Sequence, residues 1–569
     1  MTSSSPSIDA VPKPSVAAYV PTAIAVAVAA VLLFWNLGFY PFWGDEADTV
    51  IFARSAWETG DLSAFYGDNL YAYRDGALLV HLKNRSTPPA AYYFVAPFWG
   101  LFGPNHFGLR LPFAFCTLGV IALVGHWAVR ERLSVPLQAC LLGALTLNVS
   151  LLLYGRQCRY SALATLLTAA IAYEYRFFDG TRRKLVGLVV GLCLLAATHY
   201  LHFAAAAVAL LMDYLFCSRR TLRLSFRQWT AILLPTAIVF ALLVATYNPL
   251  GKHVNVDPFA GDRKSTNVLL DKATLLWWSL RDLNGCEYGV GTVLAVAPFV
   301  LAWRKSWSLL RLWSACFVYI VATTILSPQP IDRALEADMR YLAPLIPALV
   351  VLSVFTVERA CCGRMWLVAP LTALCVLTNV VHKPWDPVDW PERITKRFSE
   401  VPWVAHPWRS TIGEFIHELR YPRRTANAAL SAWLKQNARP GETAWLTPGE
   451  WMTPQIIETP ELIYGWQLEL AAGEADYAAL PRIHFAGEIP VDWIVVFGFG
   501  NVDSLRLQHV KQNVLPKLAA RGYRYEQVAH LPEYFDDRTR PELHWHWFRD
   551  EPYDKTNRGI TIFRLQRPH

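Results

Sequence analysis

The chain has 569 residues, 54% of them hydrophobic and only 17% charged, with a formal net charge of +8. A soluble protein usually carries about 25% charged residues, so a wholly water-soluble molecule is excluded. The basic residues fall in short clusters between apolar runs, not in a stripe interleaved with exposed aromatics, which argues against a nucleic-acid partner.

Runs of about 20 apolar residues, the length a helix needs to cross hydrocarbon, recur up to residue 381. The first, 18–37, follows a short tail containing Lys13. It lacks a small-residue cleavage site and reads as a retained anchor, not a signal peptide. A long first outer loop, 38–107, comes next and contains "FYPFWGDEADTVIFAR" (39–54) and "TPPAAYYFVAPFWGLFG" (87–103). The latter is apolar but short, so it is expected to be interfacial or re-entrant; a full crossing would reverse every later loop. Further spans are expected at 108–129, 134–153, 160–177, 185–199, 200–216, 229–247, 288–303, 307–327, 341–357 and 364–381. That makes eleven, with twelve or thirteen as alternatives.

Beyond residue 381 the chain becomes polar and Pro/Trp-rich. "WIVVFGFG" (493–500) and "GITIFRL" (559–565) have the composition of buried strands, and 425–437 the periodicity of a helix. The expected fold is an α-helical polytopic membrane domain, 1–381, followed by a soluble α/β domain, 382–569.

Charge sets the topology. The strongest basic connections are Arg182-Arg183-Lys184, Arg219-Arg220 with Arg223 and Arg227, and Arg304-Lys305. Lys and Arg near span ends favour the cytoplasm, so these connections and the N-terminus are placed inside. By alternation Arg130/Arg132 and Arg359/Arg364 fall inside too, and the C-terminal domain outside. The outward segments are then 38–107, 154–159, the turn near 199, 248–287 and 328–340. Several of these carry basic residues at span ends on this disfavoured side, among them Arg156 and Arg159 in "YGRQCRY" and Arg340 in "DMRY". A single case is explained by snorkelling or a nearby acid. Three, together with His199, Tyr200 and His202 in "THYLH", favour an anionic ligand at the outer face. Phosphate fits, because Arg meets its oxygens in a bidentate way.

The acids of "GDEADTVIFARSAW" (44–57) allow two readings. Asp45 could cap a helix, with Asp48 near its positive end and Ala47, Val50, Ile51, Ala53 and Trp57 along one interfacial face. Alternatively, Asp45 could serve as a general base at the water–membrane boundary, and Asp45 with Glu46 could hold a divalent cation. No CxxC or convincing metal-ligand spacing occurs, and all ten cysteines precede residue 382, mostly inside apolar runs. Cys158 and Cys286 alone fall in connections on one side. "HWHWFRD" (544–550) alternates His with Trp as one strand face would, with no third zinc ligand nearby.

Five pieces occur in a telling order: "GDEADTVIFAR", "TPPAAYYFVAPFWGLFGPNHFGLRLP", "LYGRQCRYSAL", "THYLHF" and "MRYLAPLIPAL". In that order and spacing, over about 340 residues, they resemble the polyprenyl-phosphate-sugar-dependent glycosyltransferases of the GT-C fold. That superfamily includes protein O-mannosyltransferases and the aminoarabinose transferases that modify lipid A. The resemblance implies Asp45 as catalytic base or substrate-orienting group, with Glu46 as support or metal ligand. It implies Arg159, Arg340 and Tyr341 at the lipid-phosphate pocket, where Arg156 is also placed. His199 and Tyr200 would form a polar corner of that cavity, with Arg54 and Thr87 also lining it. Thr87 departs from the Lys or His that many relatives carry before the paired prolines; Lys83 or Arg85 are candidates to compensate.

The resemblance also implies a multi-pass protein of the bacterial cytoplasmic membrane with a periplasmic C-terminal domain. The donor would be a polyprenyl-phosphate sugar and the acceptor a glycan, lipid or protein, with inversion at the anomeric carbon. No phosphate-cradling Gly-rich loop for a nucleotide sugar is present. A flippase for a lipid-linked sugar would predict internal repeats, and none is evident. A non-catalytic scaffold leaves Asp45, Glu46 and the outer arginines without a role.

Overall fold

The structure is a computed structural model, and it describes residues 15–71, 79–80, 83–85, 87–219, 224–247, 268–286, 290–327, 339–378, 410–422, 424–447, 449–465, 491–498, 507–532 and 559–566. Among the described residues, fifteen α-helices precede the C-terminal part: α1 (Val20–Phe34), α2 (Gly44–Thr59), α3 (Ala90–Phe102), α4 (His106–Arg130), α5 (Val135–Thr146), α6 (Val149–Gly155), α7 (Tyr160–Arg176), α8 (Arg182–Thr198), α9 (Tyr200–Asp213), α10 (Phe226–Tyr247), α11 (Val268–Cys286), α12 (Val290–Trp303), α13 (Trp307–Leu326), α14 (Ile346–Ala360) and α15 (Met365–Leu377). Each of the eleven expected spans contains helix, but the one at 134–153 is broken into α5 and α6. Six helices among the described residues are long and apolar enough to cross a membrane alone, and the α5–α6 pair, bent by 55°, makes a seventh.

The helices leave apolar side chains on the outside of the bundle. On α10, Leu233, Leu234, Ile238 and Leu242 are all exposed, a face that water would not tolerate and lipid tails would. The protein is a multi-pass membrane protein.

Two elements differ from expectation, and one is as short as expected. The 87–103 segment forms α3, only 13 residues long, too short to cross hydrocarbon by itself; it packs on α2 and α4. The connection expected at 248–287 contains α11, whose sequence "VLLDKATLLWWSLRDLNGC" holds too many charges to register as a hydrophobic run. Helix α2 does not lie with one face on the interface. Ala47, Val50, Ile51, Phe52 and Ala53 are all buried, on several sides of the helix, whereas Trp57 is 55% exposed. Trp57 lies over Gly100 of α3, a position where any Cβ would clash with the indole. The helix ends at Gly60, whose φ of +74° few residues but glycine accept.

The C-terminal part builds a five-stranded sheet in the order Ile463–Tyr464, Thr443–Thr447, Trp493–Gly498, Gly559–Gln566, Arg524–Leu531. The hairpins of the first loop are β1 (Phe65–Tyr66) with β2 (Asn69–Leu70), and β3 (Leu79–Val80) with β4 (Lys83–Asn84). The sheet consists of β5 (Thr443–Thr447), β6 (Ile463–Tyr464), β7 (Trp493–Gly498), β8 (Arg524–Leu531) and β9 (Gly559–Gln566). Strands β6, β5 and β7 are parallel; β9 and β8 add antiparallel. All six residues of β7 are buried, as its unbroken apolar run requires of a central strand, while β8 is largely exposed on the edge. Helix Ala426–Asn437 matches the expected 425–437. The boundary at 381/382 and "HWHWFRD" lie outside the described residues.

One hydrophobic cluster runs through both parts. It joins Phe42, Val50, Ile51 and Tyr92 to Leu430, Ile456, Trp493 and Ile560. Polar contacts reinforce it. His106 Nε2 lies 2.6 Å from Glu458 Oε1, and Asn36 Nδ2 donates to the Leu419 carbonyl at 2.8 Å. Asn69, fully buried, donates from Nδ2 to the Leu462 carbonyl and accepts the Tyr464 N–H, each at 2.8 Å. Its side chain thereby acts as one more residue of strand alongside β6. Asn69→Ala would orphan both backbone groups, so an expected loss of about 1–3 kcal/mol should appear as a lower unfolding temperature and faster proteolysis of the C-terminal domain.

Candidate active site

The site is assembled by fixing residues 32–46 first. Arg156, 6% exposed, sends Nη1 to the carbonyls of Leu32 (3.1 Å), Leu33 (2.7 Å) and Trp35 (2.8 Å), and Nη2 to that of Asn36 (3.1 Å). Leu32 and Leu33 lie in the last turn of α1, whose carbonyls lack intrahelical partners, and Trp35 and Asn36 follow it directly. Arg156 therefore caps α1, and it is not a phosphate ligand as the sequence suggested.

Arg110 of α4 does the same for the next residues. It is 2% exposed, and its Nη1 donates to Leu37 O (3.1 Å) and Tyr40 O (2.7 Å) while Nη2 donates to Pro41 O (3.0 Å). Its remaining valence goes to Glu46: Nε to Oε1 at 2.8 Å and Nη2 to Oε2 at 2.6 Å. Glu46, fully buried, also accepts the Cys158 N–H at 2.6 Å and the Trp43 N–H at 3.4 Å. The latter contact closes the start of α2 as a capping-box acid does.

This reverses the expected division of labour. Trp43 is the N-cap and Glu46 the capping acid, so Asp45 does not cap, and Glu46 is neither catalytic nor a metal ligand. With Glu46 saturated inside the core, the two acids do not present a joint cation site. Among the described residues no group of three or more His, Cys, Asp or Glu could hold a metal ion. Cys158 is a buried free thiol, so it is not paired with Cys286.

Asp45, released from capping and 30% exposed, faces two cations. Arg340 Nη1 donates to Oδ2 at 2.7 Å, and Arg159 makes an ion pair with the same oxygen. Arg159 immediately precedes α7, and Arg340 lies in the short helix Met339–Leu345 that leads into α14. Their guanidinium groups sit over aromatic faces: Arg159 is 5.3 Å from the Trp43 ring and 5.1 Å from Tyr160, and Arg340 5.4 Å from Tyr341. His199, in extended backbone between α8 and α9, stacks on Tyr160 with centroids 4.4 Å apart and lies 5.7 Å from Tyr341. The structure thus brings together Asp45, Arg159, Arg340, Tyr341 and His199, drawn from four places in the chain. Sequence reading missed Trp43 and Tyr160, which flank "GDE" and "GRQCR"; for Tyr160, its place beside the span-end Arg159 was the signal that could have found it.

Other expected members lie elsewhere. Tyr200 turns to α10, its hydroxyl donating to the Leu243 carbonyl at 3.3 Å. Arg54 pairs with Glu58 one turn on, at 2.8 Å, and covers the Tyr66 ring. Thr87 bonds the Tyr92 hydroxyl and Asn84 Nδ2, both at 2.7 Å. Asp48 accepts the Tyr71 hydroxyl at 2.9 Å. Lys83 and Arg85 both meet Asp61, at 2.6 and 3.1 Å, and the Lys83 hydrogen bond does most to hold that carboxyl at about 2. They brace the loop and do not replace the missing cation at Thr87.

No protein-family model and no curated protein matches the chain. Solved structures do. ArnT from Cupriavidus metallidurans in the apo state aligns with a TM-score of 0.56 and 15% identity, over 96% of this chain and 98% of that one. The same protein bound to undecaprenyl phosphate aligns with a TM-score of 0.55, at the same identity and coverage. The archaeal oligosaccharyltransferase AglB from Archaeoglobus fulgidus, in complex with an inhibitory peptide and a dolichol-phosphate, aligns with a TM-score of 0.45 and 11% identity, over 84% of this chain and 69% of that one. The chain has the GT-C fold, with a C-terminal α/β domain.

Proposed function

We propose that the chain is an integral-membrane glycosyltransferase that moves a sugar from a polyprenyl-phosphate donor to an acceptor at the outer face of the cytoplasmic membrane. The observation that carries this reading is the single carboxylate of Asp45 held by two arginines from distant helix ends. A phosphodiester is the chemical equal of that carboxylate as an arginine ligand. When the donor's phosphate takes the guanidinium groups of Arg159 and Arg340, Asp45 is released as a base. It then accepts the proton of the acceptor hydroxyl or amine as that atom attacks the anomeric carbon. The bond from that carbon to the phosphate oxygen breaks, and the arginines stabilise the charge that grows there. Attack from the side opposite the leaving group inverts the anomeric centre.

Orientation follows from the helices. Arg182-Arg183-Lys184 open α8, whose other end leads to His199, and Arg359 closes α14, which starts beside Arg340. With basic residues inside, this supports an orientation in which the site and the C-terminal domain face a bacterial periplasm and the N-terminus the cytoplasm. The likeness to ArnT bound to undecaprenyl phosphate supports the lipid as partner.

The test uses purified full-length protein, labelled polyprenyl-phosphate sugar and membrane extract as the source of acceptor. Transfer of label is expected from the wild type. Arg340→Ala should weaken donor binding by about tenfold or more, the worth of one charge-assisted hydrogen bond. Movement of the lipid across a bilayer without transfer would replace this reading with a flippase.

A further inference from the structure

We propose that His202 is a positioning residue for the donor, giving a hydrogen bond from Nε2–H to an oxygen of its glycosyl-phosphate head. This rests on the function proposed above and extends it to a residue away from the ion pair. His202 lies in the first turn of α9 and is fully buried. Its ring is 4.3 Å from His199, 5.9 Å from Tyr160 and 6.3 Å from Tyr341, centroid to centroid. It therefore belongs to the aromatic wall on which Arg159 and Arg340 rest.

The proton on this imidazole is assigned by its partners. Nδ1 lies 3.1 Å from the hydroxyl of Tyr319 on α13, itself buried, while Nε2 has no hydrogen-bond partner. Two arrangements are available. If Nδ1–H donated to the phenol oxygen, the Tyr319 O–H and the Nε2 lone pair would both be left without partners. If Tyr319 donates to Nδ1, only one group is left, an N–H at Nε2. A buried donor without a partner costs about 1–3 kcal/mol, so the second arrangement is favoured. It leaves a neutral ring with its proton fixed on the nitrogen that has no protein acceptor. Tyr319 sets that tautomer from behind.

A donor aimed by such an arrangement suits an acceptor oxygen. The glycosyl-phosphate head offers two kinds, phosphate oxygens and sugar hydroxyls, and the anion-binding arginines are one ring away. An acceptor oxygen arriving there satisfies the orphaned N–H without disturbing the Tyr319 contact. The same neutral N–H would be of no use to a cation, which needs a lone pair.

The experiment titrates full-length protein in detergent with undecaprenyl phosphate and, separately, with glucosyl undecaprenyl phosphate. His202→Phe keeps the ring volume and removes the donor; affinity is expected to fall about tenfold, the worth of one neutral hydrogen bond. His202→Gln places an amide N–H near the same point and should restore most of that loss. Tyr319→Phe frees the ring to carry its proton on either nitrogen and should weaken binding by a smaller factor. A deficit with both ligands assigns the bond to a phosphate oxygen, and a deficit confined to the glucosyl lipid assigns it to a sugar hydroxyl. Equal binding by wild type and His202→Phe overturns the proposal, as does a deficit that Gln fails to repair, which would mark a packing role. If His202→Phe does not fold, Gln and Tyr319→Phe decide by the same comparison. A wild type that binds neither ligand would instead count against the proposed function.

Discussion

Asp45→Asn is expected to lower sugar transfer by about 10²- to 10⁴-fold, the usual worth of a positioned general base, while polyprenyl phosphate binds more tightly than to the wild type. The two effects have opposite signs because the carboxylate plays two parts. It occupies the guanidinium groups that the phosphate would take on the proposed reading, so a neutral amide would compete less. Turnover and binding should be measured on one preparation. Unchanged transfer would remove Asp45 from the chemistry. A parallel loss of binding would show that the carboxylate's main task is to hold the arginines in place.

The second large effect concerns folding. Arg110→Met leaves Glu46 charged and fully buried without its partner, which should cost about 3–5 kcal/mol, visible as a lower unfolding temperature in detergent. Glu46→Gln combined with Arg110→Met removes both charges and should recover a substantial part of that loss. Transfer per folded molecule should be little altered by Glu46→Gln, in contrast to Asp45→Asn. If the two single amide variants lost activity alike, the division between a capping acid and a reacting acid would be wrong.

That division marks where sequence reading stopped. The spans were legible because a hydrophobic run of helix length has few other uses. The charge rule then made Arg159 and Arg340 conspicuous, and both reach Asp45. The same rule also flagged Arg156, only three residues from Arg159, yet Arg156 points at the carbonyls closing α1. Sequence reports that an arginine lies at the membrane edge; it does not report which way the side chain turns. Arg110 escaped notice because one cation inside an apolar stretch resembles a snorkelling residue until its four polar partners are seen. Helix α11 was missed because its acids and lysine break the hydrophobic run. Asp45 and Glu46, adjacent and chemically alike, were separable only by the rotation of α2, and that depends on Trp43 being its first capping residue.

On the proposed reaction, the pairing of two arginines with one carboxylate would also keep the site electrically neutral through a turnover. At rest the cluster has one surplus positive charge, which a phosphodiester donor, carrying a single negative charge, cancels. In the proposed reaction, transfer would turn that diester into a lipid phosphate monoester with a charge of about −2, while Asp45 would gain the acceptor's proton and become neutral. Two guanidinium groups then face two negative charges, so the sum is again zero. Proton uptake by Asp45 and charge growth on the leaving phosphate are thereby matched one for one. Departure of the product lipid would then leave a protonated Asp45, and loss of that proton to water would re-form the ion pairs and reset the site.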